Sequence, residues 1–289
     1  MTKPDFILIG AMKSATSTLH AQLAQQPGIF MSTPKEPNYF SDDEQYARGE
    51  EWYDSLFEGA EASDLCGESS THYTKLPDHP LTIERMKKRL ASPKLIYVMR
   101  HPIDRLISHY IHQWSQRVIS CDINKAIDQY YELIAYSCYA KQLQPYIEAY
   151  GKENILVTFT EAIRANPQSE LERVAEFIGY LKPVAWHDTL PSQNVSQQRI
   201  RPFPGYGLLV ESRMMAFLRQ KLVPQSLRDR IKGSLTMRER PVIDAVHQQK
   251  LIEAFDQDLQ ILGSWFGRQI SCDNFKQVAI AEPLIFVPS

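Results

Sequence analysis

Phe6-Ile7-Leu8-Ile9 is an unbroken apolar run that stops at Gly10. A run of that length, bounded by a turn residue, predicts a strand buried on both faces. Polar residues follow, and from Thr16 to Gln25 the apolar Leu19 and Leu23 recur at helical spacing. Strand, glycine turn and helix in that order open a nucleotide-binding α/β unit. The alternation then returns. Lys94 to Met99 reads as a second strand, and Arg100-His101 ends it. Pro102 suits the first turn of a helix running to about Trp114, where a missing N–H costs nothing. A helix over 139–150 stops at Gly151 and gives way to a third strand, Ile155 to Phe159. Asn166-Pro167 opens another helix, which carries Leu171, Val174, Ala175 and Ile178 and ends at Gly179. A proline- and glycine-rich loop spans Leu190 to Gly207. Beyond it a last long helix is expected from near Pro241 to about Gly263, with Ile243, Leu251, Phe255, Leu259 and Leu262 facing inward.

Strands alternating with helices predict an α/β fold, with a central parallel sheet flanked by helices on both faces. No repeat, low-complexity tract or linker divides the chain. A single domain over residues 1–289 is therefore expected, with its core in 5–263 and a C-terminal tail in 264–289. The apolar stretch Val278 to Val287 in that tail suits a partner surface, or a segment docked on its own domain.

Composition narrows the function without naming it. A formal net charge of -2 gives no overall drive toward nucleic acid or anionic membrane, so any anion site must be built locally. Cys66, Cys121, Cys138 and Cys272 are scattered and form no CxxC pair, which argues against a zinc site or a disulfide framework. The apolar run at Phe6 is too short for a signal-peptide core or a membrane span. A cytoplasmic protein with no transmembrane segment is the expectation.

Candidate chemistry begins at Gly10-Ala11-Met12-Lys13-Ser14-Ala15-Thr16-Ser17-Thr18, between the first strand and the first helix. Backbone N–H groups and the helix dipole make such a turn an anion site, to which Lys13 adds charge and the hydroxyls add donors. The Walker A pattern GxxxxGK[ST] is absent, which disfavours a Walker-type kinase. Taken alone, the segment also suits a solvated lysine before an ordinary helix cap. Downstream lies Pro34-Lys35-Glu36-Pro37-Asn38-Tyr39-Phe40. A positioned carboxylate such as Glu36 can take a proton from an attacking hydroxyl, although a Lys-Glu pair before proline is also a common surface feature. His72, in Gly67-Glu68-Ser69-Ser70-Thr71-His72-Tyr73, is a rival base or a hydrogen-bonded bystander. Arg100 stands at a strand's C-terminal end, where open α/β sheets bind ligands, and its fork suits phosphate oxygens. Its alternative is a pair with Asp104, with Ser108 simply buried in the helix.

These segments together resemble the PAPS-dependent sulfotransferase family (PAPS is 3′-phosphoadenosine-5′-phosphosulfate), in the bacterial and heparan-sulfate-type branch with a Lys-Glu-Pro motif. Lys13 to Leu19 is similar to the family's 5′-phosphosulfate loop, usually Lys-x-Gly-Thr-x-x-Leu, with Ala15 where glycine is common. The resemblance implies a P-loop-NTPase-like fold. It also implies that Lys13, Ser14, Ala15, Thr16, Ser17 and Thr18 bind the 5′ side of the donor, that Lys13 stabilises the leaving oxygen and that Glu36 is the general base. Val98 to Tyr110 resembles the 3′-phosphate motif, which implies that Arg100 and Ser108 bind that phosphate; Arg105 is read as structural or as a support behind the site. Thr236 to Asp244 is similar to the loop before the last family helix, adding Arg238, with Arg240 a possible helper. Arg48 to Phe57, Val157 to Glu161 and Glu176 to Gly179 match further family segments, and Ser69 stands where heparan-type members often carry lysine. The resemblance covers residues 6–180 and 236–262. It implies in-line sulfonyl transfer from PAPS to a hydroxyl or amine of a carbohydrate or small-molecule acceptor, with PAP as product and no metal. An ATP-dependent P-loop-like kinase and a non-catalytic nucleotide-binding module remain as the other classes.

Overall fold

The computed structural model describes residues 3–190 and 239–288, so Arg238 lies outside the described residues. Among those described, five strands form one parallel sheet in the order β2-β3-β1-β4-β5. They are β1 (Phe6–Gly10), β2 (Ile29–Met31), β3 (Leu65–Ser69), β4 (Lys94–Met99) and β5 (Ile155–Phe159). The first, fourth and fifth are the three runs whose continuous apolarity predicts them. The other two are additions to the sequence reading, and β3 is the more instructive, because its Glu68 and Ser69 are polar yet wholly buried.

Side chains alternate across the sheet as the pleat requires. Phe6, Leu8, Ile96 and Val98 point to one face, where α1 (Thr16–Leu23) and α10 (Pro167–Phe177) cover them with Leu19, Leu23, Leu171 and Val174. Ile7, Ile9, Leu95, Tyr97 and Met99 point to the other. That face packs on α4 (Thr82–Arg89), α5 (Pro102–Ser115), α8 (Tyr139–Tyr150) and α11 (Ala245–Trp265). Shorter helices fill the connections: α2 (Asp43–Tyr46), α3 (Gly49–Ser55), α6 (Ile123–Gln129), α7 (Glu132–Ala135) and α9 (Thr160–Ala165).

The last long helix begins at Ala245, not near Pro241, because the Asp244 side chain accepts the His247 N–H at 2.9 Å and so caps it there. Beyond it, α12 (Phe275–Ala281) buries Phe275 and Ala279, Leu284 is buried as well, and Phe286 packs on Phe266 with ring centroids 4.5 Å apart. Of the two sequence readings of this apolar stretch, docking on its own domain is the one observed. Because all five strands run parallel, the ends of β1, β3, β4 and β5 open onto one edge, the edge at which open α/β sheets bind ligands.

Candidate active site

At that edge β1 hands over to the Gly10–Thr18 turn. The Ala11 N–H donates to Val98 O at 2.8 Å, tying the turn to β4. Lys13 and Ala15 take left-handed backbone angles, φ 72° and φ 59°. Ala15 caps α1 in that conformation, which glycine adopts freely and which costs an L-residue about 1 kcal/mol. Thr18 and Leu19 both send their N–H groups back to Ala15 O, at 3.0 and 3.1 Å. Thr16 to Thr18 form the first turn, whose early N–H groups point out of the helix start. Ser14 is fully buried and its Oγ has no hydrogen-bond partner. A buried orphan hydroxyl in a turn of outward-facing amides fits an oxyanion that arrives with a ligand.

Arg100, at the end of β4, meets this turn directly. One guanidinium nitrogen donates to Lys13 O at 3.3 Å. Asp104 does not hold Arg100 in an ion pair, since its carboxylate receives Arg240 and, at 2.9 Å, Lys276. Arg240 thus anchors the chain segment that follows Arg238 to the start of α5. Ser108 lies on the buried face of α5. Next to it His109 is buried, and its pKa is driven well down by burial and then by the charges of Arg105, Lys75, His112 and Lys13. Arg105 is fully enclosed and bonds Ser137 Oγ and Leu133 O, as a structural arginine would.

Glu36 faces the site from the loop after β2. Its N–H donates to Ser69 O at 2.9 Å, and its backbone sits at φ 60°. Lys35 Nζ donates to Oε1 at 2.6 Å and Thr71 Oγ1 donates to Oε2 at 3.1 Å. Burial works against its charge, but Lys35, Thr71 and Lys75 outweigh it and hold the carboxyl below the ordinary glutamate range. A carboxylate is therefore present at neutral pH. His72 stands near it, stacked on His79 with centroids 4.9 Å apart, and burial with Lys75 and His79 lowers its pKa to about 4.

Three residues join the site that sequence reasoning missed. His20, on α1, lies 2.9 Å from Ser69 Oγ through Nδ1, and burial with the Lys35 charge lowers its pKa to about 4. Glu68 is enclosed beneath the Glu36 loop. Lys75 ends the 3₁₀ turn Thr71–Thr74, where it is only 8% exposed. Burial first, against the favourable field of Glu36, brings the Lys75 pKa down to about 8. Nothing in the local sequence around Lys75 marks it as buried.

That burial has a measurable cost. Between about pH 8 and 10.5 the unfolded chain holds the Lys75 proton and the folded chain releases it, so stability rises with pH through that window. Lys75→Met keeps the stem and discards the charge. It should raise unfolding stability at pH 7 by on the order of 2 kcal/mol, with the gain vanishing above pH ~10.5. Denaturant titrations at the two pH values read this directly, and a loss of stability at pH 7 would refute it.

The sheet edge thus gathers a turn of outward-facing amides after its central strand, Arg100 at the neighbouring strand end and the half-buried Glu36 carboxylate on the loop after β2. The chain belongs to the sulfotransferase domain family, which matches residues 3–197. It is 38% identical over 119 residues to the membrane-associated sulfotransferase kil1 of Dictyostelium discoideum, spanning 39% of this chain and 24% of that protein. It is 30% identical over 185 residues to heparan sulfate glucosamine 3-O-sulfotransferase 3B1 of Mus musculus, spanning 61% of this chain and 46% of that one. The chain thus spans less than half the length of these relatives. The fold is shared with a sulfotransferase from Alicyclobacillus acidocaldarius at a TM-score of 0.65 and 20% identity, over 93% of this chain and 98% of that one.

Proposed function

We propose that this protein transfers a sulfonyl group from PAPS to a hydroxyl or amine of a carbohydrate or small-molecule acceptor. The observation that carries the reading is the hydrogen bond joining Arg100 to Lys13, which sets two cations of separate motifs at one sheet edge, with the Glu36 loop across from them. Membership of the sulfotransferase family supports sulfonyl transfer over phosphoryl transfer, and the heparan sulfate relatives favour a carbohydrate acceptor. In this reading the Ser14–Thr18 turn holds the 5′-phosphate and Arg100 with Ser108 holds the 3′-phosphate. Glu36 takes the acceptor proton as the new bond forms from sulfur to the acceptor, S–O for a hydroxyl and S–N for an amine. The S–O bond to the 5′-phosphate breaks, its electron pair stays on the phosphate oxygen, and Lys13 neutralises that oxygen. Catalysis then rests on positioning and electrostatics.

Transfer of label from ³⁵S-PAPS to sugars, phenols and amines tests the reaction, and label moving to none of them would reject it. Arg100→Ala tests the donor site. A fork on phosphate makes charge-assisted bonds worth about 1.5–3 kcal/mol, so PAP affinity should fall roughly ten- to hundredfold. Adenosine 5′-phosphosulfate, which lacks the 3′-phosphate, should bind the variant as it binds the wild type. Equal losses for the two nucleotides would remove Arg100 from the 3′ site.

A further inference from the structure

The loop that presents Glu36 is backed by a buried carboxylate that the reaction itself does not use. Glu68 lies in β3 with no exposure, and it accepts hydrogen bonds from Tyr53 OH, Tyr73 OH and, at 2.7 Å, Ser70 Oγ. Two of these hydroxyls pass the connection onward. Ser70 Oγ accepts the Asn38 N–H at 3.0 Å, and Tyr73 OH accepts the Phe40 N–H at 3.4 Å. The strand backbone adds a third tie, from the Glu36 N–H to Ser69 O.

The loop needs this support. Glu36 and Asn38 are both left-handed, at φ 60° and φ 53°, a conformation that asparagine tolerates and glutamate resists. Pro34 and Pro37 donate no N–H, so few backbone donors remain to fix the turn. A hydroxyl accepting from the loop does so best when its own proton is committed elsewhere, and the Glu68 carboxylate commits both Ser70 and Tyr73 in that sense.

We propose that Glu68 is a positioning residue for the transfer reaction: acting through Ser70 and Tyr73, it holds the Glu36 loop in the left-handed conformation that aims the base. The proposal rests on the assignment of Glu36 as base, and the experiment separates the two. Ser70→Ala cuts the link to Asn38. Tyr53→Phe removes a hydrogen bond to the same carboxylate that is not relayed to a loop N–H, and keeps the ring stacked on Tyr39 at 4.4 Å. Ser70→Ala should lower kcat about tenfold, the effect of one lost buried hydrogen bond, with PAP affinity unchanged. It should also speed amide exchange at Glu36 and Asn38. Tyr53→Phe should lower Tm but leave kcat and those amides as in the wild type. Glu68→Gln should follow Ser70→Ala, which carries the test alone where Glu68→Gln does not fold. If the two hydroxyl variants lose stability alike and neither changes kcat, Glu68 is structural only and the proposal falls. If wild-type protein transfers no sulfonyl group, the base assignment fails first, and unchanged exchange at Glu36 and Asn38 in Ser70→Ala then overturns the positioning role independently.

Discussion

Glu36→Gln is expected to cut turnover at least about a hundredfold while leaving PAP binding nearly intact. Glutamine keeps the volume, and its carbonyl can still accept from Lys35 or Thr71, the two donors that fix the carboxylate at 2.6 and 3.1 Å. What it loses is the capacity to take a proton. Because Lys35, Thr71 and Lys75 depress the Glu36 pKa despite its burial, the acid limb of kcat/KM should lie below the usual glutamate range. The same depression makes Glu36 a stabilising group above its unfolded pKa, and that contribution is lost as pH falls through the folded value. His72 is the rival. With a pKa near 4 it is neutral at pH 7 and holds a lone pair, but burial makes its protonated form costly. Near-normal turnover in Glu36→Gln, with a large loss in His72→Gln, would transfer the role to His72.

The parts of this molecule legible in its sequence are those where apolarity and geometry coincide. β1, β4 and β5 are buried on both faces and read as apolar runs. β3 defeats that reading because its burial is compensated by hydrogen bonding: Glu68 is enclosed among the hydroxyls of Tyr53, Ser70 and Tyr73. A glycine there is also a packing requirement, since a Cβ at Gly67 would lie 2.2 Å from the Phe6 ring. The three-residue β2 is too short to carry a period. At the start of α11, proline and arginine signals near Pro241 point to an entry, whereas the Asp244 cap decides it.

The proposed donor side can be read locally for a different reason: each of its motifs is contiguous and sits at a strand end. The surroundings of the proposed base are assembled from separate segments. His20 comes from α1, Lys75 from the turn after β3 and Glu36 from the loop after β2, and only the sheet order brings them together. A buried lysine and a surface lysine are the same letter. The Ala15 position shows the converse, where an alanine takes a left-handed angle that its letter does not announce.

Lys13→Met should separate chemistry from binding. Lys13 is held at φ 72° in the turn, and its carbonyl is fixed by Arg100, so the backbone geometry does not depend on its ammonium. Its charge reaches inward, since it contributes with Lys75 to suppressing protonation of the buried His109 on α5. A cation placed there meets the charge of the phosphosulfate when the donor binds, and meets further charge as the S–O bond breaks and the 5′-phosphate oxygen takes the electron pair. Interactions stronger in the transition state than in the ground state lower kcat when removed. The expected loss in kcat is therefore about 10²–10³-fold, comparable to removal of one preorganised oxyanion donor, while PAPS affinity falls about tenfold or less. Lys13→Arg should restore donor affinity but little turnover, because a planar fork cannot occupy the point position of an ammonium in a turn this tight. Single-turnover transfer of labelled sulfonyl at a series of PAPS concentrations separates the two quantities. A fall in PAPS affinity as large as the fall in kcat/KM would mean that Lys13 holds the donor equally before and during transfer, and would leave the leaving-group role without support.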